Sequence, residues 1–128
     1  MAREWIEGAD ADLRAAELLR SLTPPSPGIV AFHAQQAVEK SLKAYLVLRS
    51  IPFPRTHQID LLMELCGSEV SENLETTRLL RMTKFAVTTR YPGAGPRATA
   101  EEADDACQIA RAAVQVIELL ISQEQKDS

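Results

Sequence analysis

His33, Gln36, Lys40 and Lys43 recur at the spacing that brings side chains to one side of an α-helix. At 100° per residue they fall within about 80° of arc. An imidazole, an amide and two amines on one line can hydrogen-bond and attract anions. The chemistry they suggest is a polar, basic groove that faces phosphates or a partner. The alternative is a solvated helix face. Glu39 lies beside the line and can pair with Lys43 at i,i+4, which offsets part of the charge. Gln35 departs from the line. It projects at about 200°, between Leu42 and Leu46, on the apolar side of the helix. A buried amide must find partners or cost about 1–3 kcal/mol. That predicts a structural bond to a neighbouring helix or across a subunit interface.

Other patterns that carry chemistry are missing. The chain has no GxxxxGK, GxGxxG, HExxH or GxSxG. The carboxylates of "EEADD" (101–105) resemble a metal cluster, but they follow Thr99 at the start of a helical pattern. Negative charge there complements the helix dipole. No metal site and no cofactor are expected. Cys66 and Cys107 lie in apolar helical patterns with no CxxC partner, and they read as buried thiols of a reducing compartment.

Five helical segments must position these groups. The first runs from about Arg3 to Leu22, with Trp5, Ile6, Ala9, Leu13 and Ala16 on one stripe. "TPPSPG" (23–28) stops it. The second, about Ile29 to Ser50, carries the polar line. Its opposite arc holds Ala31, Ala34, Val38, Ser41, Leu42, Tyr45 and Leu46, small enough for close helix packing. "IPFPRT" follows, and Thr56 is the expected N-cap of a short third helix that Gly67 closes. The fourth segment is expected as one helix from about Ser71 to Arg90, ending at "RYPGAGPRAT". Thr99 with Glu102 makes a capping box for the last. There Ala103, Cys107, Ala110, Val114, Ile117 and Ile121 keep helical spacing, and the tail from about 123 is polar. No stretch sustains strand alternation. The fold class is all-α: four long helices plus a short one in an antiparallel bundle.

Composition agrees with that reading. The 128 residues suit one domain, 45% are hydrophobic and only 5% aromatic. The net charge of −4 gives the surface no general attraction for nucleic acid or anionic lipid, so any anion site must be local. Arg3, Glu4 and Glu7 break any leader-like pattern, and no apolar run reaches the ~18 residues of a membrane span. The expected location is cytoplasmic.

"FHAQQAVEKSLKAYL" (32–46), then "THQIDLL" (56–62), then "RYPG" (90–93) resemble the HEPN domain family (higher eukaryotes and prokaryotes nucleotide-binding) in order and approximate spacing. The resemblance covers most of the chain. It implies a helical bundle assembled as a homodimer. It also implies a range of roles. Many small prokaryotic members pair with a minimal nucleotidyltransferase in toxin–antitoxin-like modules, many are metal-independent ribonucleases, and some bind nucleotides, RNA or proteins without catalysis. Catalytic members carry an Arg about four to six residues ahead of a His. Here Arg49 and Arg55 both miss His57 at that spacing, and Arg90 is followed by "YPGAGPRATA" with no His.

Metal-independent RNA cleavage still needs a base for the 2′-OH or an acid for the leaving group, and a cation for the phosphorane. His57 can serve as base or acid, since an imidazole titrates near neutrality. Arg90 can supply the cation, and Tyr91 can stack on a base. The start of the third helix must then lie near the end of the fourth. The local roles are a bond from His57 to its loop and an Arg90 that satisfies helix-end carbonyls. The expectation is therefore a nucleotide-, RNA- or partner-binding module. Its contacts are His33, Gln36, Lys40, Lys43, Arg90 and Tyr91, and its partner is a minimal nucleotidyltransferase. The alternatives are a ribonuclease toxin that uses His57 and Arg90, or a structural helical adaptor.

Overall fold

Proline decides where the second helix begins. Pro27 occupies its first turn, where the missing N–H costs nothing, so helix α2 spans Pro27–Leu48 and starts two residues ahead of the expected Ile29. The computed structural model describes residues 1–86 and 98–127. Helix α1 covers Ala2–Leu19, α3 Ile59–Cys66, α4 Ser68–Ser71 and α5 Thr76–Leu80. A 3₁₀ turn follows over Arg81–Ala86, and α6 runs Ala100–Asp127. The described residues are helical with no strand, as the composition predicts.

Helix α2 is the centre of the bundle, with α1 and α6 as its main neighbours. It is buried nearly all round. Ala31, Ala34, Ala37, Val38, Leu42, Ala44 and Leu46 have no solvent exposure. The alanines let the neighbouring helices approach closely, and each fully buried Leu contributes about 1.5–3 kcal/mol. Ile6, Ala9 and Leu13 come from the α1 stripe, and Cys107, Ala110, Val114, Ile117 and Ile121 from that of α6. The α2 helix ends in a Schellman pattern. The Ile51 N–H donates to the Leu46 carbonyl and the Ser50 N–H to that of Val47, with Ser50 left-handed at φ 57°.

The capping box forms as expected. The Thr99 N–H donates to Glu102 Oε1 and the Glu102 N–H to Thr99 Oγ1, both at 3.0 Å. The "EEADD" carboxylates tie helices together. Asp104 pairs with Arg20, the residue that caps α1, and Asp105 with Arg78 of α5. At the other end Arg49 bridges Glu69 and Glu124 at 2.7 and 2.9 Å and so links α2, α4 and α6. The bond from Arg49, then that from the Tyr45 hydroxyl, holds the Glu69 carboxyl below its ordinary range. These pairs are largely exposed and each adds little stability.

Two local expectations are corrected. The fourth segment is not one helix over its described part. Asn73 accounts for the break: its side-chain amide donates to the Glu69 carbonyl at 2.7 Å, the acceptor that its own N–H would use in a helix. Its backbone N–H turns to the Val70 carbonyl instead. Thr56 is not the N-cap of α3. Its Oγ1 accepts from the Gln58 N–H in a local turn, and the helix starts only at Ile59. The Ile59 N–H is then satisfied from a distance, by Thr83 Oγ1 at 3.1 Å. His57 thus precedes the helix rather than sitting in its first turn. The polar end of α6 stays helical to Asp127.

Because Thr83 supplies the acceptor that α3 lacks locally, Thr83→Val keeps the shape and orphans the Ile59 N–H. It should cost about 1 kcal/mol, read as a lower denaturant midpoint with an unchanged slope.

Candidate functional site

Helix α2 brings Gln35, Gln36, Glu39 and Lys43 onto successive turns, and the "IPFPRTHQ" loop folds back over them. Glu39 is the hub. Its side chain is 4% exposed, yet three residues direct donors at it and a fourth, His57, sets a ring nitrogen against it. Lys43 Nζ lies 2.7 Å from Oε1, and the amide nitrogens of Gln35 and Gln36 lie 3.2 and 3.4 Å from Oε2. His57 Nδ1 lies 3.0 Å from Oε2 and 3.2 Å from Oε1. Gln36 also donates to Gln35 Oε1 at 2.8 Å, and Gln35 to the His57 carbonyl at 3.4 Å. The predicted structural use of Gln35 is therefore a bond to the loop rather than to a neighbouring helix.

Lys43 is buried, at 8% side-chain exposure. Its ammonium lies 5.5 Å from the Trp5 ring centroid and 5.9 Å from that of Phe53. Those rings meet edge to face at 6.3 Å. The rings shield one side of the amine and contribute cation–π attraction, while Glu39 balances its charge. The His57 ring is 60% exposed. One edge is fixed on a buried carboxylate and the other faces solvent. This is an oriented imidazole, the arrangement used wherever a single hydrogen bond or proton must be placed.

A second, similar cluster lies further along the same line. Asp12 of α1 reaches across to α2, where Oδ1 lies 3.0 Å from His33 Nδ1 and Oδ2 2.7 Å from Lys40 Nζ. The polar line is thus neither a plain solvated face nor an unbalanced basic groove. Each of its lysines holds a carboxylate, and each carboxylate also holds a histidine. The sequence reading missed Asp12 and the hub role of Glu39. A signal existed for Asp12. It flanks the stripe of Ile6, Ala9, Leu13 and Ala16, where a polar side chain meets the edge of the neighbouring helix. His57 came from a loop, so no periodicity linked it to Glu39.

Arg90 and Tyr91 lie outside the described residues, as does the rest of "RYPG". Thr83 nevertheless bonds the first residue of α3, so the 3₁₀ turn that precedes that motif lies against the start of α3. Two shallow cavities of about 110 and 140 Å³ lie along α5 and α6, lined by none of the His57 cluster, and pockets for drug-sized ligands run to about 300–1,000 Å³. Arg78 lies between them and is held by Glu75 and Asp105. The thiols offer no nucleophile: burial pushes Cys66 up to about 12 and also raises Cys107. Among the described residues no cluster of His, Cys, Asp and Glu fits a metal ion, and no helix is long and apolar enough to cross a membrane.

The family model described as "HEPN domain" matches residues 2–120. The chain is similar in structure to TT1696 from Thermus thermophilus, with a TM-score of 0.72 and 28% identity over 91% of this chain and 95% of that one. It also shares its fold with ST0689, an archaeal HEPN homologue, with a TM-score of 0.68 and 21% identity over 97% and 98% of the two chains. No curated protein matches it.

The hub has an energetic signature. Glu39→Met alone strands the Lys43 ammonium among aromatic rings and should cost about 3–5 kcal/mol. Glu39→Met combined with Lys43→Met removes both charges and should recover most of that loss. Equilibrium denaturation of the two single variants and the double variant measures this coupling. Additive losses would show that the pair is not interacting.

Proposed function

This chain belongs to the HEPN domain family, and we propose that it is a nucleotide- or RNA-binding module whose central contact is His57. One observation carries the reading: an exposed imidazole is held at Nδ1 by a buried carboxylate, which leaves Nε2 to meet a ligand. The lysines of the line are offset by Asp12 and Glu39, so recognition rests on directed bonds more than on bulk charge. Arg90 is proposed as the cation for a phosphate and Tyr91 as the ring beneath a base. His33, Gln36 and Lys40 extend the surface, and Lys43 acts from below through Glu39. The module is further proposed to act as a cytoplasmic homodimer beside a minimal nucleotidyltransferase, the setting of many small family members. A monomer in sedimentation at micromolar concentration would remove the dimer.

The test is thermal. A nucleotide or short RNA that binds the folded chain should raise its stability by about 2.7 kcal/mol at a hundredfold excess over Kd. His57→Ala should abolish most of that rise and lower ligand-free stability by about 1–2 kcal/mol, because it takes one hydrogen-bond partner from the buried Glu39 carboxylate. If no nucleotide or RNA moves the melting curve, the nucleotide and RNA reading fails.

A second reading has the same observation behind it. A carboxylate-held imidazole is also equipped as a general base for a ribose 2′-OH, with Arg90 stabilising the phosphorane. Cleavage of a mixed RNA pool without metal, lost in both His57→Ala and Arg90→Ala, would establish a ribonuclease. Intact RNA with the unaltered protein would leave the binding module.

A further inference from the structure

We propose that Glu39 is a positioning residue that holds His57 as the Nδ1–H tautomer, so that Nε2 of the neutral ring accepts a hydrogen bond from a ligand hydroxyl. This deepens the reading of His57 as the ligand contact and rests on it. The argument begins with the donors around Glu39. Lys43 brings an ammonium to Oε1, and Gln35 and Gln36 bring amide N–H groups to Oε2. Donors converge on both oxygens, the pattern that an ionised carboxylate accepts, and an ionised carboxylate has no proton to give. His57 Nδ1, at 3.0 and 3.2 Å from its two oxygens, must then be the donor.

The consequence reaches the outer edge of the ring. A neutral imidazole carries one N–H, and with that proton on Nδ1 the exposed Nε2 bears a lone pair. It matches a hydroxyl or another donor and mismatches an unprotonated phosphate oxygen, which can only accept. Among nucleotides the hydroxyl that sorts ligands into classes is the ribose 2′-OH. Taking that hydroxyl as the donor that Nε2 meets makes ribonucleotides or RNA, rather than their deoxy counterparts, the preferred ligand class. Free imidazole in water favours the opposite tautomer, so the assignment is not what an unheld exposed ring would show.

The experiment has two independent parts. In the first, long-range nitrogen–proton spectra of the full chain at alkaline pH report the tautomer of both histidines, and a His33→Gln variant isolates His57. The expected result is a bare Nε2 and a protonated Nδ1. In Glu39→Met/Lys43→Met, which removes the acceptor without stranding a buried charge, the tautomer ratio should invert. Nε2–H in the unaltered protein, or an unchanged ratio in the double variant, overturns the positioning role. In the second part, thermal shifts are compared for adenosine triphosphate and its 2′-deoxy analogue. The deoxy ligand should bind roughly three- to tenfold more weakly, the loss of about one net hydrogen bond. In the double variant that difference should disappear. Equal shifts in the unaltered protein overturn the hydroxyl assignment. No shift with either ligand overturns the hydroxyl assignment, the RNA arm of the thermal test above then decides whether the binding reading stands, and the spectra alone decide the role of Glu39.

Discussion

Glu39 places a carboxylate on the flank of a helix that is buried nearly all round. An isolated charge there would cost several kcal/mol, so the helix is compatible with the bundle only if that charge is matched in place. Lys43, one turn on, supplies the match. The two charges alone would leave the outer lone pairs of the carboxylate unused. The amides of Gln35 and Gln36 and the ring of His57 occupy them. The position of the loop after α2 follows from this requirement. His57 reaches Glu39 from that loop, and Phe53 of the same loop meets Trp5 of α1 to cover the ammonium. A buried ion pair is weak evidence of net stability, since an apolar pair of similar volume would serve as well. What it provides here is a set of directed contacts that hold the loop against α2.

Much of this architecture is legible in the residues. The spacing of Cys107, Ala110, Val114, Ile117 and Ile121 predicts the buried stripe of α6, and Thr99 with Glu102 marks its start. The small residues opposite the polar line predict a tightly packed central helix. The family motifs on α2 and in the loop lead to the same fold that the domain match and the structural neighbours show. These signals are local or periodic, and such signals survive without tertiary knowledge. The fourth segment is harder to read. Its apolar residues are compatible with one helix, but Asn73 uses a side-chain donor on a main-chain acceptor, a competition that periodicity does not register. The cap of α3 is another such case. Thr56 has the right type at the right place, yet the acceptor for Ile59 comes from Thr83, which is distant in sequence.

The polar line shows why the candidate site was only half legible. Reading one helix at a time, a row of His33, Gln36, Lys40 and Lys43 is either solvated or basic. The structure answers with carboxylates. Asp12 crosses from α1 to His33 and Lys40, and Glu39 folds back on Lys43 and His57. Each cluster joins a lysine, a carboxylate and a histidine from separate turns or elements. The carboxylates offset the charge of the line. The hydrogen-bonding direction of the rings remains.

That difference bears on what kind of recognition this surface supports. A protein that captures RNA through charge needs uncompensated cations along the strand. This chain has a net charge of −4, and the lysines of its polar line are already paired. Long-range steering of a polyanion is therefore a poor account of the site. An imidazole fixed from behind works at short range, in one direction, with little loss of freedom when the ligand arrives. Burial of the Glu39–Lys43 pair and exposure of the His57 ring are then two ends of one device. On the proposed reading the buried end sets where the ring stands and which nitrogen carries its proton, and the exposed end presents the other nitrogen to a ligand.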